Sequence, residues 1–297
     1  MRSLRFVSLL VATVLIAAGG CDSTALDPFA EEGGAYSIFG YVNARADTQF
    51  VRVEALKNSA LTGIAALDTV DVRLTHVGSG RTVPLRDSVF EYPGGRRAHN
   101  FYVTDAAMSI EPQATYRLSV SGPRGPAARS PAVTVPRAFP KPTVETEPTF
   151  PDDPVEFCPA EGVLDDRSVG FMSLQIRGVE RLAAVKTRFT FARGRNDGVY
   201  TYAHLDAATR SDENPRHVDL PYGRDYCYAT YAGAEDLQKM EVIVVAGHAE
   251  WPRFLRFNFE ERMLASTVTN IEGGVGMFGA VLSDTLVVYS QEERALP

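Results

Sequence analysis

The hydrophobic and polar positions of this chain repeat with a period of two over much of its length. From residue 36 onward, short runs rich in Val, Ile, Tyr, Phe and Thr alternate with turn residues. Successive side chains of a strand point to opposite faces, so an apolar/polar alternation marks a strand with one face buried. In the run 69–76, Val70, Val72 and Leu74 fall on one face and Asp71, Arg73 and Thr75 on the other. The run 115–121 does the same with Tyr116, Leu118 and Val120. Further strands are predicted over 36–42, 49–55, 82–85, 88–92, 100–104 and 132–135. This density of short strands with turns between them predicts an immunoglobulin-like β-sandwich over 35–136.

Pro140, Pro142, Pro148, Pro151 and Pro154 then crowd into 137–154 beside Glu145, Glu147, Asp152 and Asp153. Proline removes backbone donors and favours extended geometry, so this segment reads as a semi-rigid linker, or as an edge segment laid along one domain. A second β-rich domain is predicted over 155–297. Its strands are expected at 169–176, 185–191, 199–204, 217–220, 226–231, 238–245 and 285–289, with a hairpin loop at 193–198. One stretch changes period. Trp251, Phe254, Leu255 and Asn258 recur at helical spacing behind Pro252, which predicts an amphipathic helix over 250–262 covering the sheet. The expected fold is therefore mostly β: an immunoglobulin-like sandwich, then a second β-rich domain with one or two helices.

The first twenty residues break the pattern. Arg2 and Arg5 precede an apolar run over 6–18, followed by Gly19-Gly20-Cys21. The run is shorter than the roughly 20 residues a membrane-spanning helix needs. A basic start, a short apolar stretch, small residues and then a cysteine resemble a bacterial lipoprotein leader cut before Cys21. Ala18 stands where Leu is commoner in such a site; the alternative is an ordinary secretory leader. On the lipoprotein reading Cys21 carries fatty acyl (palmitate) chains, and two or three chains hold far better than the marginal single one. Residues 21–34, polar and acidic, become the tether. The expected address is the cell envelope, anchored to the outer membrane on either its periplasmic or its outer face.

Composition adds limits. The 297 residues are 45% hydrophobic and 23% charged, with a net charge of −7, which suits a globular chain of about two domains. Losing Arg2 and Arg5 makes the mature chain more acidic still. Nucleic acid requires a basic surface and is not expected as a partner. Of the three cysteines, Cys158 and Cys227 remain once Cys21 is assigned to lipid. An oxidising compartment favours pairing them, across a loop worth about 4 kcal/mol; the alternative is two buried thiols.

Candidate chemistry is sparse. Nucleophile-elbow, zinc-protease and phosphate-loop motifs do not occur in the sequence, and no cofactor is expected. His204-Leu205-Asp206 and His217-Val218-Asp219 each put an imidazole and a carboxylate on one strand face. Were the strands joined as a hairpin, His204, Asp206, His217 and Asp219 could converge on a metal. Register opposes this, because a hairpin centred on Ser211 sets His204 across from Val218. Tyr200 with Tyr202, and Tyr226 with Tyr228, are candidates for contact with a glycan or protein partner. The alternative for the tyrosines is packing around a Cys158–Cys227 bridge. The glycines of 270–280 (Asn-Ile-Glu-Gly-Gly-Val-Gly-Met-Phe-Gly-Ala) suit tight turns or a bulge better than a phosphate site.

That last segment also carries a resemblance. Residues 270–280, with Thr115-Tyr116-Arg117-Leu118-Ser119-Val120 and Val133-Thr134-Val135-Pro136, resemble an uncharacterised lipoprotein family common in Bacteroidetes-type bacteria. The likeness runs over nearly the whole chain after Cys21, though only 270–280 is specific. Members are often found beside TonB-dependent receptors. The resemblance implies a non-enzymatic binding or accessory module for outer-membrane uptake, with a receptor or glycan as partner. It carries no catalytic residues. A structural or adhesive surface protein and a metal-dependent enzyme are the alternatives.

Overall fold

A computed structural model of the chain describes residues 36–55, 70–92, 96–123, 127–150, 158, 170–204, 215–251 and 269–291. Cys21, the leader, the tether, Asp206 and nearly all of the expected 250–262 helix lie outside them.

The described residues are mostly β, arranged as two sandwiches built on one shared sheet. The first half contributes β1 (Tyr36–Asn43), β2 (Thr48–Ala55), β3 (Asp71–His76), β4 (Thr82–Pro84), β5 (Arg86–Tyr92), β6 (Arg96–Thr104), β7 (Thr115–Ser121), β8 (Ala128–Arg129) and β9 (Val133–Thr134). The second contributes β10 (Thr143–Val144), β11 (Met172–Ile176), β12 (Leu182–Arg193), β13 (Val199–His204), β14 (Arg216–Leu220), β15 (Glu235–Gly247) and β16 (Gly274–Ser290), with one helix, α1 (Tyr222–Tyr231). The large sheet runs β13-β12-β15-β16-β1-β2-β6-β5. Two smaller sheets cover one of its faces: β4-β3-β7-β8, with β9 also on β7, over the first half, and β10-β11-β14 over the second.

Each sandwich closes its own core. Ile38, Val51, Val53 and Phe101 of the large sheet meet Val72, Leu74, Leu118 and Val120 in the first, all buried. Phe189, Met240 and Val242 meet Leu174, Ile176 and Leu220 in the second. The first sandwich has a tyrosine corner of the immunoglobulin-like kind. Tyr116, near the start of β7, donates its hydroxyl proton to the Ser109 carbonyl and accepts from the Glu111 N–H, both at 3.0 Å.

The division expected from sequence therefore changes. Residues 137–154 do not separate two closed domains, because β16 pairs in parallel with β1 from Tyr36–Gly274 to Asn43–Val281. Along β16, Phe278 and Ala280 enter the first core and Leu282 the second. The described part of the proline-rich segment, 137–150, follows the edge-segment alternative. Thr143 and Val144 pair with β11 as an edge strand, and Phe150 packs edge-on against Tyr222, Tyr226 and Tyr289 at 4.9–5.3 Å.

The glycine-rich segment explains how the sheet closes. Gly276 has φ +108°, and a Cβ there would lie 2.0 Å from the Ile38 carbonyl oxygen. Only glycine lets β16 approach β1 this closely. Asn270 pins the strand beyond Gly276, its amide donating to the Phe278 carbonyl (2.8 Å) and accepting from the Phe278 N–H (3.0 Å). The expected turn falls at Gly273, whereas Gly274–Ala280 run as a strand in unbroken register with β1, with no bulge.

On the opposite face of the large sheet, Trp251 is buried with Ala184, Val245, Met277 and Val281.

Candidate functional site

The expected strand at 226–231 is a helix. Its residues favour strands by type, yet Tyr222, Tyr226 and Ala229, with Gly223 and Cys227, are buried at helical spacing. Asp225 in the first turn complements the positive end of the helix dipole. Tyr226 and Tyr228 therefore point in different directions. Tyr226 is 4% exposed and packs on Phe189 and Phe191, whereas Tyr228 is 47% exposed.

The strand pair splits too. Tyr200, at 8% exposed, lies edge-on to Phe191 in the core. Tyr202 is half-buried and stacks on Tyr228, with ring centroids 6.4 Å apart and planes at 30°. Of the four candidate tyrosines, Tyr202 and Tyr228 form a surface pair, while Tyr200 and Tyr226 hold the core beneath it. Burial first, then the charge of Asp225 and the neighbouring Tyr200 and Tyr228, push the Tyr202 phenol well above its ordinary range. Its hydroxyl stays a neutral donor.

Several connections fix α1 beneath this pair. Cys227, fully buried, is bonded to Cys158, 69 residues away in sequence. The Tyr222 hydroxyl accepts from the Thr149 N–H and donates to the Thr149 carbonyl, both at 3.1 Å. Asp225 reaches into the sheet. Its Oδ2 lies 2.8 Å from His204 Nε2 and accepts the Thr187 hydroxyl proton at 2.7 Å. Thr187 Oγ1 is itself 3.0 Å from His204 Nε2.

Threonine, histidine and aspartate together suggest a nucleophile–base–acid relay, but the connectivity is wrong for one. A relay needs the histidine between the hydroxyl and the carboxylate, one ring nitrogen to each. Here a single nitrogen meets both, and the Thr187 proton is already given to Asp225. Thr187 is also fully buried. The arrangement satisfies three buried polar groups with one another and joins α1 to β12 and β13.

The expected metal constellation does not converge. His204 lies on β13 in the large sheet and His217 on β14 in the three-stranded sheet, on opposite sides of the core. The two strands belong to different sheets and are not a hairpin, so the condition for convergence is not met, in line with the register objection. His217 Nδ1 faces Glu145 Oε2 at 3.0 Å, and Asp219 accepts from the Ser173 hydroxyl at 2.6 Å. Among the described residues, no three His, Cys, Asp or Glu side chains are grouped to hold an ion. Asp225 and Thr187 are the members of the site that sequence reasoning missed; for Asp225 the helical spacing of Tyr222, Tyr226 and Ala229 was the available signal.

No protein-family model and no curated protein matches the chain. Among solved structures, the FN1–FN3 domains of chicken CNTN1 align at 11% identity and a TM-score of 0.28. That alignment covers 87% of this chain and 65% of the other, so the chain spans less than two thirds of that structure's length.

Proposed function

We propose that the protein is a non-enzymatic envelope lipoprotein, held to the outer membrane through Cys21, that serves as a binding module for a TonB-dependent uptake system. The observation that carries the reading is the Tyr202–Tyr228 stack, in which half-buried Tyr202 of β13 backs exposed Tyr228 of α1, a helix tied down by the Cys158–Cys227 bridge and the Thr187–His204–Asp225 cluster. Rigid aromatic side chains offer large contact area at small entropic cost, which is what a recognition surface needs. The buried cluster supports a holding role over a catalytic one, since its hydroxyl proton is committed to the carboxylate.

A pull-down from native outer membranes tests the proposal. The wild-type chain is expected to retain a receptor or a glycan, and the Tyr202→Ala/Tyr228→Ala chain to lose it. Retention by both chains alike, or recovery of no envelope component by the wild type, overturns it. Loss of cell attachment on deletion, with uptake unchanged, would instead favour the adhesive alternative.

A further inference from the structure

The outer face of the five-stranded sheet has a different chemistry from the tyrosine surface. Because Val72, Leu74, Leu118 and Val120 face inward, their alternate neighbours face out. Register aligns these neighbours in two rows. Thr82, Thr75 and Arg117 stand side by side across β4, β3 and β7. Pro84, Arg73, Ser119 and Arg129 do so across β4, β3, β7 and β8. Three arginines thus share one face of a chain whose net charge is −7. Arg73 is held by Asp71 at 2.6 Å. Arg117 and Arg129 have no ion-pair partner among the described residues, and both line a recess of about 350 Å³ with Ser130, Pro131, Asn270 and Glu272.

The other polar groups of that recess are largely committed. Ser130 donates to the Pro131 carbonyl and accepts from the Leu118 N–H. The Asn270 amide is held by the Phe278 backbone. Two guanidinium groups and the Glu272 carboxylate are left to meet a ligand. A guanidinium binds a carboxylate through two parallel hydrogen bonds. Glu272 disfavours a second negative charge and accepts from a hydroxyl. The matching group is a singly charged oxyanion flanked by hydroxyls, which is the chemistry of a uronic acid. Beside the recess, the hydroxyl pairs Thr75–Thr82 and Thr115–Thr134 are each 2.9 Å apart. Each pair uses one proton internally and keeps one to offer, so the polar surface continues along a chain of sugars. Neither row carries an aromatic or branched aliphatic side chain that would enter lipid.

We propose that this face binds an acidic polysaccharide, seating a uronate carboxylate between Arg117 and Arg129 while Glu272 accepts from an adjacent hydroxyl. The site is separate from the tyrosine surface and does not depend on it.

Titration of the full chain in detergent with trigalacturonate, read by calorimetry, is the test. Saturable binding is expected, weakened about tenfold or more by Arg117→Gln and by Arg129→Gln and reduced by added salt. Maltotriose, uncharged, should not bind. Both substitutions are at exposed positions, and unchanged thermal midpoints should accompany the loss. No binding overturns the proposal, as does binding indifferent to both substitutions or equal binding of maltotriose. Capture of phosphatidylglycerol vesicles with the same arginine dependence overturns it in favour of a lipid-facing surface. Displacement of the sugar by inorganic phosphate at comparable concentration overturns it in favour of a bare oxyanion site.

Discussion

Asp225 and His204 meet at 2.8 Å in the interior, with side chains only 3% and 6% exposed. One belongs to the helix and the other to the edge strand of the large sheet, so the pair joins elements that share no backbone hydrogen bonds. Removing one member of such a pair leaves the other buried without its partner, commonly a loss of about 3 kcal/mol. Asp225→Ala is expected to lower unfolding stability by that order, measured by urea denaturation. Thr187→Val, which removes only the hydroxyl, should cost less, about 1–2 kcal/mol. An Asp225→Ala chain as stable as wild type would count against the clamp.

The Cys158–Cys227 bridge closes a loop of 69 residues. By the chain-entropy account, losing it costs about 4 kcal/mol. The denaturation midpoint should fall when the chain is reduced with dithiothreitol, and Cys227→Ala should behave alike with or without the reductant.

At Gly276 an added methyl group meets the Ile38 backbone oxygen, and the positive φ adds strain. Gly276→Ala should cost about 2 kcal/mol or more. Gly80 also has a positive φ, +71°, but open space around it. Gly80→Ala should therefore cost less, and similar thermal midpoints for the two variants would refute the role given to β16's close approach.

His248 titrates below its ordinary value of 6.5, chiefly because burial disfavours the imidazolium. The unfolded chain thus takes up the proton first. The resulting stability is fully present above about pH 6.5 and is lost as pH falls from there through the lowered folded-state value. Unfolding experiments across that range should give a slope that His248→Gln flattens; an unchanged slope would assign the effect to other groups.

The strands were readable wherever one face is buried, as in β3 and β7, because burial imposes the alternation on the sequence. The cysteine pairing was readable from parity once Cys21 was set aside. The helix was obscured because Tyr, Thr and Cys favour strands by type, and only their spacing reveals it. For the same reason the four tyrosines could not be sorted: a strand and a helix turn alternate residues to different surroundings. The shared sheet left the fewest traces. Nothing local in β1 names a partner more than two hundred residues downstream, and the glycines of 273–279 were its imprint without its address.

That partnership sets an order of events. The flank of β1 that receives β16 stays unfilled until residues more than two hundred positions downstream have been made, however soon β1 finds β2. Closing so large a loop is slow, and until then an open strand edge is a site for mispairing with other chains. The first sandwich therefore cannot mature at the pace of its own synthesis. Truncation before residue 274 should leave it intact in sequence yet prone to aggregate, its completion resting on a strand far downstream in the sequence.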